Sequence, residues 1–177
     1  DWTFLPSLVG VTVMIAMIML GSLAVSRERE GGTWETLQSL PLSTAEVMAG
    51  KLLPGTVLGL VQAVFVLAIA LFAFAVPTHG SIAALIALAP LFAATHLVIG
   101  YAISSGAKTQ LAALQGAVAF YLPAMLLSGF LYPFETLPRW AQAIGNGFPL
   151  SHFIRAAHGA TLKGNSALEV LAHGLPM

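Results

Sequence analysis

Four long apolar runs, separated by polar segments, make up most of the 177-residue sequence. The runs cover residues 5–25, 52–76, 82–103 and 111–131, and none of them contains Asp, Glu, Lys or Arg. Each reaches the roughly 20 apolar residues that a helix needs to cross the hydrocarbon core of a bilayer. Because the apolar residues are continuous and do not alternate with polar ones, the pattern predicts helices and not strands. The predicted fold is an all-α integral membrane protein, a polytopic helical bundle that forms one transmembrane domain over residues 1–177.

The first polar segment, residues 26–50, begins with the stretch SREREGGTWETLQSLPLS. Its glycine pair is expected to end the first helix, and Thr33 stands where the N-cap of a short amphipathic helix is expected. Ser43 and Glu46 have the spacing of a capping box, which predicts a helix that runs on into the second span. The expected structure is an elbow of span, charged turn, short surface helix, turn and span. On spacing alone, a charged loop that is merely solvated is an equal alternative.

The second polar segment covers residues 132–165. Pro138 suits a helix start, Trp140 and Ile144 form an apolar pair four residues apart, and Ser151 is a candidate cap for a further short helix. Neither helix is long enough to cross a bilayer, so the pattern predicts a re-entrant helical hairpin with Trp140 at headgroup depth. An ordinary loop is the alternative.

The distribution of basic residues indicates which face is cytoplasmic. Spans must alternate sides, which puts the first strip and the loop after the third span on one face. The face with the first strip then carries four basic residues, Arg27, Arg29, Lys51 and Lys108. The opposite face carries three, Arg139, Arg155 and Lys163. This small excess favours a cytoplasmic strip 26–50 and an external hairpin 132–165.

Composition narrows the function classes. The chain is 58% hydrophobic and 8% charged, whereas ordinary globular domains are about 25% charged. Its formal net charge of zero gives no electrostatic reason to expect a nucleic-acid partner. The absence of cysteine excludes disulfides and thiolate metal sites, and the five histidines lack metal-ligand spacing.

No enzyme motif emerges from the sequence. The GAKT stretch at residues 106–109 lacks the spacing and the preceding strand of a phosphate loop. Ser128 lacks the glycine two residues earlier that a rhomboid-type serine protease motif has. We therefore expect a chain that is not an enzyme and that binds no cofactor and no metal.

Three polar residues inside the spans are candidates for a substrate path: Gln62, His96 and Gln115. An ionisable group at membrane depth is a candidate functional site, so His96 is the most informative of the three. A neutral imidazole that is hydrogen-bonded within the bundle is the structural alternative.

The order of these parts resembles the type-2 ABC export permeases, closest to their bacterial multidrug-export-like branch. The resemblance rests on SREREGGTWETLQSLPLSTAEVMAGKLLP and on LLSGFLYPFETLPRWAQAIGNGFPLSHFIRAAHGATLKG, two motifs in the family's order with the expected number of spans between them. It covers essentially the whole chain. It implies a six-span permease, of which this chain holds spans two to five and the start of the sixth at residues 166–177.

The resemblance also implies partners and residue roles. A cytoplasmic ABC ATPase subunit, carrying ATP and Mg²⁺, would couple to the strip, and a second permease copy or paralogue would complete a dimer in the bacterial inner membrane. The expected charged turn is Arg27, Glu28, Arg29 and Glu30, and the helix against the ATPase holds Thr33, Trp34, Glu35 and Leu37. In the external hairpin, a gate or wall of the exit path, the motif residues are Pro133, Pro138, Trp140 and Pro149.

The resemblance implies ATP-driven export of a drug-like or lipophilic substrate. Export of a polysaccharide or lipid-linked glycan is the alternative within the family. Outside the family, a secondary transporter would rely on His96, and a purely structural membrane scaffold is the third possibility.

Overall fold

The computed structural model describes residues 4–74 and 82–161, together with Ala172. The described residues form seven α-helices and one short 3₁₀ turn, and no strand is present among them. The helices are α1 (Phe4–Glu30), α2 (Trp34–Ser39), α3 (Thr44–Phe74), α4 (Ile82–Gly106), α5 (Gln110–Leu127), α6 (Arg139–Gly145) and α7 (Pro149–Thr161). The 3₁₀ turn is Phe134–Thr136.

Within the described ranges, four helices are long and apolar enough to cross a membrane: Ser7–Glu30, Thr44–Ile69, Ala83–Gly106 and Gln110–Leu127. They lie in α1, α3, α4 and α5, so the predicted all-α polytopic bundle is confirmed. Three predicted parts lie outside the described residues, apart from Ala172: the end of the second span with the connection that follows it at 75–81, the end of the hairpin at 162–165 and the start of a last span at 166–177.

Two predicted boundaries were wrong. The run Arg27–Glu30 is not a turn, because α1 continues through Glu30 and the chain turns at the following glycines, where Gly32 has φ +70°. The fourth span ends at Leu127 and not at residue 131, because the chain turns at Gly129, which has φ +88°. A side chain is disfavoured in this left-handed region, so glycine suits both turns.

The centre of the bundle is the pair α1 and α4. Their facing residues are fully buried, including Met14 and Ile18 on α1 and Phe92 and Leu97 on α4. Helices α3, α5 and α7 pack around this pair. The outward faces of α3 and α5 remain apolar and exposed, as shown by Phe65 and Leu111, which is the arrangement that suits contact with lipid tails.

Glycines set the distance between the central helices. A Cβ atom on Gly21 would lie 2.6 Å from the carbonyl oxygen of Leu97, and one on Gly100 would lie 2.7 Å from that of Ile18. Real Cβ atoms do not approach so closely, so α1 and α4 touch backbone to backbone here. Small residues are what permits such an approach between membrane helices.

Two glycines four residues apart, Gly55 and Gly59, bring α3 close to side chains of α4. A Cβ atom on Gly59 would lie 2.5 Å from the Cβ of Ala93, and one on Gly55 would lie 2.8 Å from Leu97 Cδ1. The two glycines therefore allow α3 to pack closely against α4.

We predict that Gly100→Ala destabilises the bundle by about 1–3 kcal/mol, because the added methyl group forces α1 and α4 apart. The matched control is Gly50→Ala in α3, where an added Cβ meets nothing within 4 Å. Equilibrium unfolding of the full-length protein in sodium dodecyl sulfate would measure both changes. Equal stability of the two variants would contradict the proposed close contact.

Candidate functional site

The candidate site is the elbow formed by the end of α1, by α2 and by the start of α3, residues 26–50. The capping box at the start of α3 is confirmed. The Ser43 backbone N–H and hydroxyl each donate to Glu46 Oε2 at 2.7 Å, and the Glu46 backbone N–H donates to Ser43 Oγ at 3.3 Å. This reciprocal pair satisfies donors that a helix start would leave free, and it fixes where α3 begins.

The charged residues at the end of α1 hold neighbouring elements. Lys51 Nζ on α3 lies 2.5 Å from Glu28 Oε1. Arg29 donates to the carbonyl oxygen of Ser105, 3.0 Å away, at the end of α4. Glu30 accepts from the backbone N–H of Gln110 at 2.9 Å and from its side-chain amide at 2.6 Å. Three of the four charges therefore brace α1 against α3 and the α4–α5 turn.

These contacts distinguish the elbow from a merely solvated loop. A solvated loop would leave its charges to water, whereas Glu28, Arg29 and Glu30 each have a partner 23 to 80 residues away in the sequence. The side chain of Ser104 adds a buried tie, since its Oγ accepts from the N–H groups of Val25 at 3.0 Å and Ser26 at 2.9 Å.

The outer surface of the elbow is mixed in character. Glu35 on α2 is exposed, as are the apolar side chains of Leu40, Leu42 and Met48. The hydroxyl of Thr33 donates to the Glu28 carbonyl at 3.4 Å, and its role as N-cap stays a prediction. Trp34 and Leu37 lie on α2, and their side chains are outside the described part of the structure.

Sequence reasoning missed the residues that hold the elbow from outside it. These residues are Lys51, Ser104 and Gln110, and the sequence pattern predicts none of them as a partner of α1. One signal was available, because opposite charges at the same end of adjacent spans, such as Glu28 and Lys51, can pair.

The three polar residues of the spans are not brought together. Gln62 donates from Nε2 to the carbonyl oxygen of Thr12 at 3.1 Å, which ties α3 to α1. Gln115 is exposed on α5. His96 has no exposed surface, so it lines no open path in this conformation.

His96 behaves as a buried structural group in the described residues. Its Nδ1 lies 2.9 Å from the Phe92 carbonyl oxygen, to which it can only donate, and its ring packs on Phe92 with centroids 4.3 Å apart. Its Nε2 has no hydrogen-bonding partner among the described atoms. A proton relay needs a chain of ionisable groups, and the apolar runs 5–25, 52–76, 82–103 and 111–131 contain no Asp, Glu, Lys or Arg to continue one.

The hairpin of α6 and α7 lies at the opposite end of the bundle. Pro133 precedes the 3₁₀ turn, Pro138 is the N-cap of α6 and Pro149 is the first residue of α7. Trp140 is 65% exposed on α6, which is compatible with a headgroup position. The predicted cap at Ser151 was wrong, because α7 already begins at Pro149 and the Ser151 hydroxyl donates to the Gly145 carbonyl at 2.6 Å.

Helix α7 enters the bundle more deeply than an interfacial helix would. Phe153 is fully buried, and its ring stacks on Phe92 with centroids 4.3 Å apart. A Cβ atom on Gly10 of α1 would lie 2.7 Å from Phe153 Cδ1. Near the end of α7, His158 Nε2 lies 2.7 Å from Ser7 Oγ. Helix α7 therefore belongs to the core of the bundle, and the re-entrant course of the hairpin stays a prediction.

We predict that Glu28 and Lys51 are coupled by about 1 kcal/mol, since their side chains are 25% and 21% exposed and solvent partly screens the pair. A double-mutant cycle with Glu28→Gln and Lys51→Met would measure this as non-additive losses of unfolding free energy. Glu35→Gln, at an exposed site, serves as a control with no expected change. Additive losses from the two substitutions would refute the coupling.

Comparison with known proteins places the chain in a family. The ABC-2 type transporter family matches residues 3–162. The probable multidrug ABC transporter permease YbhR of Escherichia coli K12 is 34% identical over 174 residues, covering 98% of this chain and 47% of that protein. The probable multidrug ABC transporter permease YbhS of the same organism is 31% identical, covering 97% of this chain and 46% of that protein.

A more distant relative is the linearmycin resistance permease protein LnrN of Bacillus subtilis, 29% identical over 79% of this chain and 37% of that protein. The inner membrane transport permease YhhJ of Escherichia coli is 31% identical over 85% of this chain. No solved structure matches the chain significantly. The chain spans about half the length of the YbhR and YbhS permeases. With four apolar helices among its described residues and a match over residues 3–162, the chain is a multi-pass membrane protein that belongs to the ABC-2 type transporter family.

Proposed function

We propose that the chain is the membrane-spanning part of a permease in an ATP-driven exporter, and that the elbow at residues 26–50 receives a cytoplasmic ATPase subunit. Family membership supports an ATP-binding partner. The observation that carries the proposal is the bracing of the elbow, in which Glu28, Arg29 and Glu30 fix α1 to α3 and to the α4–α5 turn. A braced elbow transmits a push to the spans, whereas a mobile loop would absorb it.

The outward surface of the elbow suits a protein partner. Leu40, Leu42 and Met48 are 47%, 50% and 40% exposed, and Glu35 lies exposed on the short helix between the two spans. Apolar side chains beside a charged group are the mixture that protein interfaces use, with burial for affinity and charge for orientation. The ATPase subunit is the partner we assign to this surface.

The mechanism follows from continuity of the helices. Helix α3 runs without interruption from the elbow into its span, and α1 runs from its span to Glu30. A partner that binds one orientation of α2 more tightly would therefore shift the tilt of both spans, because a ligand moves an equilibrium only through its differential affinity. A second permease, identical or paralogous, would supply the opposite wall of the substrate path between the two permeases. The external hairpin would form part of the exit of that path.

The relatives support a drug-like or lipophilic substrate. Two of them are named as probable multidrug permeases and one as a linearmycin resistance permease. We propose that ATP and Mg²⁺ bind on the ATPase subunit and that this chain contributes no catalytic group. By analogy with the relative named as an inner membrane permease, we place the protein in the bacterial inner membrane.

The test is a charge reversal on the exposed face of α2. In the full-length permease co-expressed with its ATPase, Glu35→Arg is expected to lower the amount of co-purified ATPase about tenfold. Reversal of a charge inside an interface costs between about one and a few kcal/mol of binding free energy. ATP turnover that depends on the permease should fall in parallel.

The matched control is Glu135→Arg, which reverses an exposed acid in the hairpin at the other end of the bundle. It should leave the complex intact. Retention of the ATPase by a folded Glu35→Arg variant, or equal loss in both variants, would overturn the assignment of the elbow as the coupling surface.

A further inference from the structure

A cleft opens between α1 and α3 at the elbow end of the bundle. It has a volume of about 330 Å³ and is lined by Leu20, Leu23, Ala24, Arg27, Glu28 and Lys51. Its apolar residues are further into the span and its charged residues are nearer the helix end. The lining residues of α1 recur every three or four positions, so they form one stripe along the helix, about 10 Å from Leu20 to Arg27.

An apolar wall that leads to charged side chains matches a lipid more closely than a soluble ligand. A phospholipid at this depth would lay an acyl chain along Leu20, Leu23 and Ala24 and would put its phosphate at the level of Arg27. Leu20 is 40% exposed, so the apolar wall is open to the hydrocarbon.

The charged side chains that line the cleft favour a ligand with an anionic group. Lys51 and Glu28 neutralise each other across 2.5 Å. Arg27 is exposed, and its guanidinium has no hydrogen bond or ion pair with any residue in the described ranges 4–74 and 82–161. The cleft therefore carries one uncompensated positive charge, with Lys51 beside it as a further donor of hydrogen bonds.

A cationic ligand fits the same cleft poorly. Among the described residues, Glu28 is the one acid that lines the cleft. Its Oε1 is held by Lys51 and its Oε2 is buried without a partner among the described atoms. An ammonium group would have to displace Lys51 to reach this carboxylate.

We propose that this cleft binds an anionic phospholipid, with the phosphate on Arg27 and one acyl chain on the Leu20–Ala24 wall. Basic pockets between spans at a membrane face are known to suit anionic headgroups. The proposal rests on the proposed function in one respect only: if the elbow is cytoplasmic, the bound lipid belongs to the cytoplasmic leaflet. The binding site itself rests on the geometry of α1 and α3 and needs no ATPase.

Native mass spectrometry of the full-length permease, purified without its ATPase, would test the site. The probes are phosphatidylglycerol and phosphatidylcholine with identical acyl chains. Wild-type permease is expected to retain phosphatidylglycerol preferentially, and Arg27→Gln should weaken that retention about fivefold, as expected for one basic residue near the headgroups.

Two further variants separate the site from general charge and from folding. Arg139→Gln removes an exposed arginine from the hairpin end and should leave retention unchanged. Ala24→Phe keeps every charge but fills the apolar wall, and it should also weaken retention. Thermal unfolding of each variant identifies any that is misfolded. If Arg27→Gln is misfolded, the result for Ala24→Phe still decides the test.

Three results would overturn the proposal. They are equal retention of the two lipids by the wild type, unchanged retention by a folded Arg27→Gln or Ala24→Phe variant, and an equal loss in Arg139→Gln. Because no ATPase is present, a negative outcome here would leave the coupling role of the elbow untouched, and failure of the Glu35→Arg experiment would leave the lipid site untouched.

Discussion

The backbone contact between α1 and α4 is the constraint on which the rest of the bundle depends. At Gly21 and Gly100 the two helices approach so closely that a methyl group on either would strike main-chain atoms of the other. Lipid tails are as apolar as the helix surfaces, so burial of apolar area gives little drive to association in a membrane, and close packing must supply it. This contact also determines where the ends of α1 fall relative to α4.

The charged end of α1 is a consequence of that placement. An unpaired charge is costly in the bilayer core, and the chain places its charges where α1 leaves the span. There, the position of α1 beside α4 brings Arg29 to the carbonyl of Ser105 and Glu30 to the start of α5. Individually, exposed pairs of this kind contribute little to stability. Together they fix the direction in which the chain enters α2, and in the proposed function this direction matters more than their contribution to stability.

Local sequence patterns predicted the parts of this structure that local physics determines. The four apolar runs predicted four spans, because length and hydrophobicity alone decide whether a helix can cross a bilayer. The spacing of Ser43 and Glu46 predicted the capping box, since its hydrogen bonds join residues three apart. Pro138 and the apolar pair of Trp140 and Ile144 predicted the first helix of the hairpin, because both are local signals.

Contacts between helices could not be predicted in the same way. Ser151 has the properties of a cap, but its hydroxyl serves to tie α7 to α6. Arg27 to Glu30 look like a turn in the sequence, yet they remain helical because three of them find partners on α3, α4 and α5. The position of His96 in the core likewise depends on packing around α4, which no local pattern specifies.

Helix α1 connects the two ends of the bundle, and this limits how the proposed exporter can work. Its 27 residues span about 40 Å. One end carries the braced elbow, and the other packs against α7 through Gly10 and Phe153, with Ser7 at His158. A tilt of α1 imposed at the elbow must therefore displace the contact with α7, or carry the hairpin with it. Because closely packed helices shift between discrete arrangements more readily than they deform, the external hairpin would respond to the ATPase as a rigid unit. In the proposed mechanism, α1 is then the element through which an event at the elbow reaches the exit.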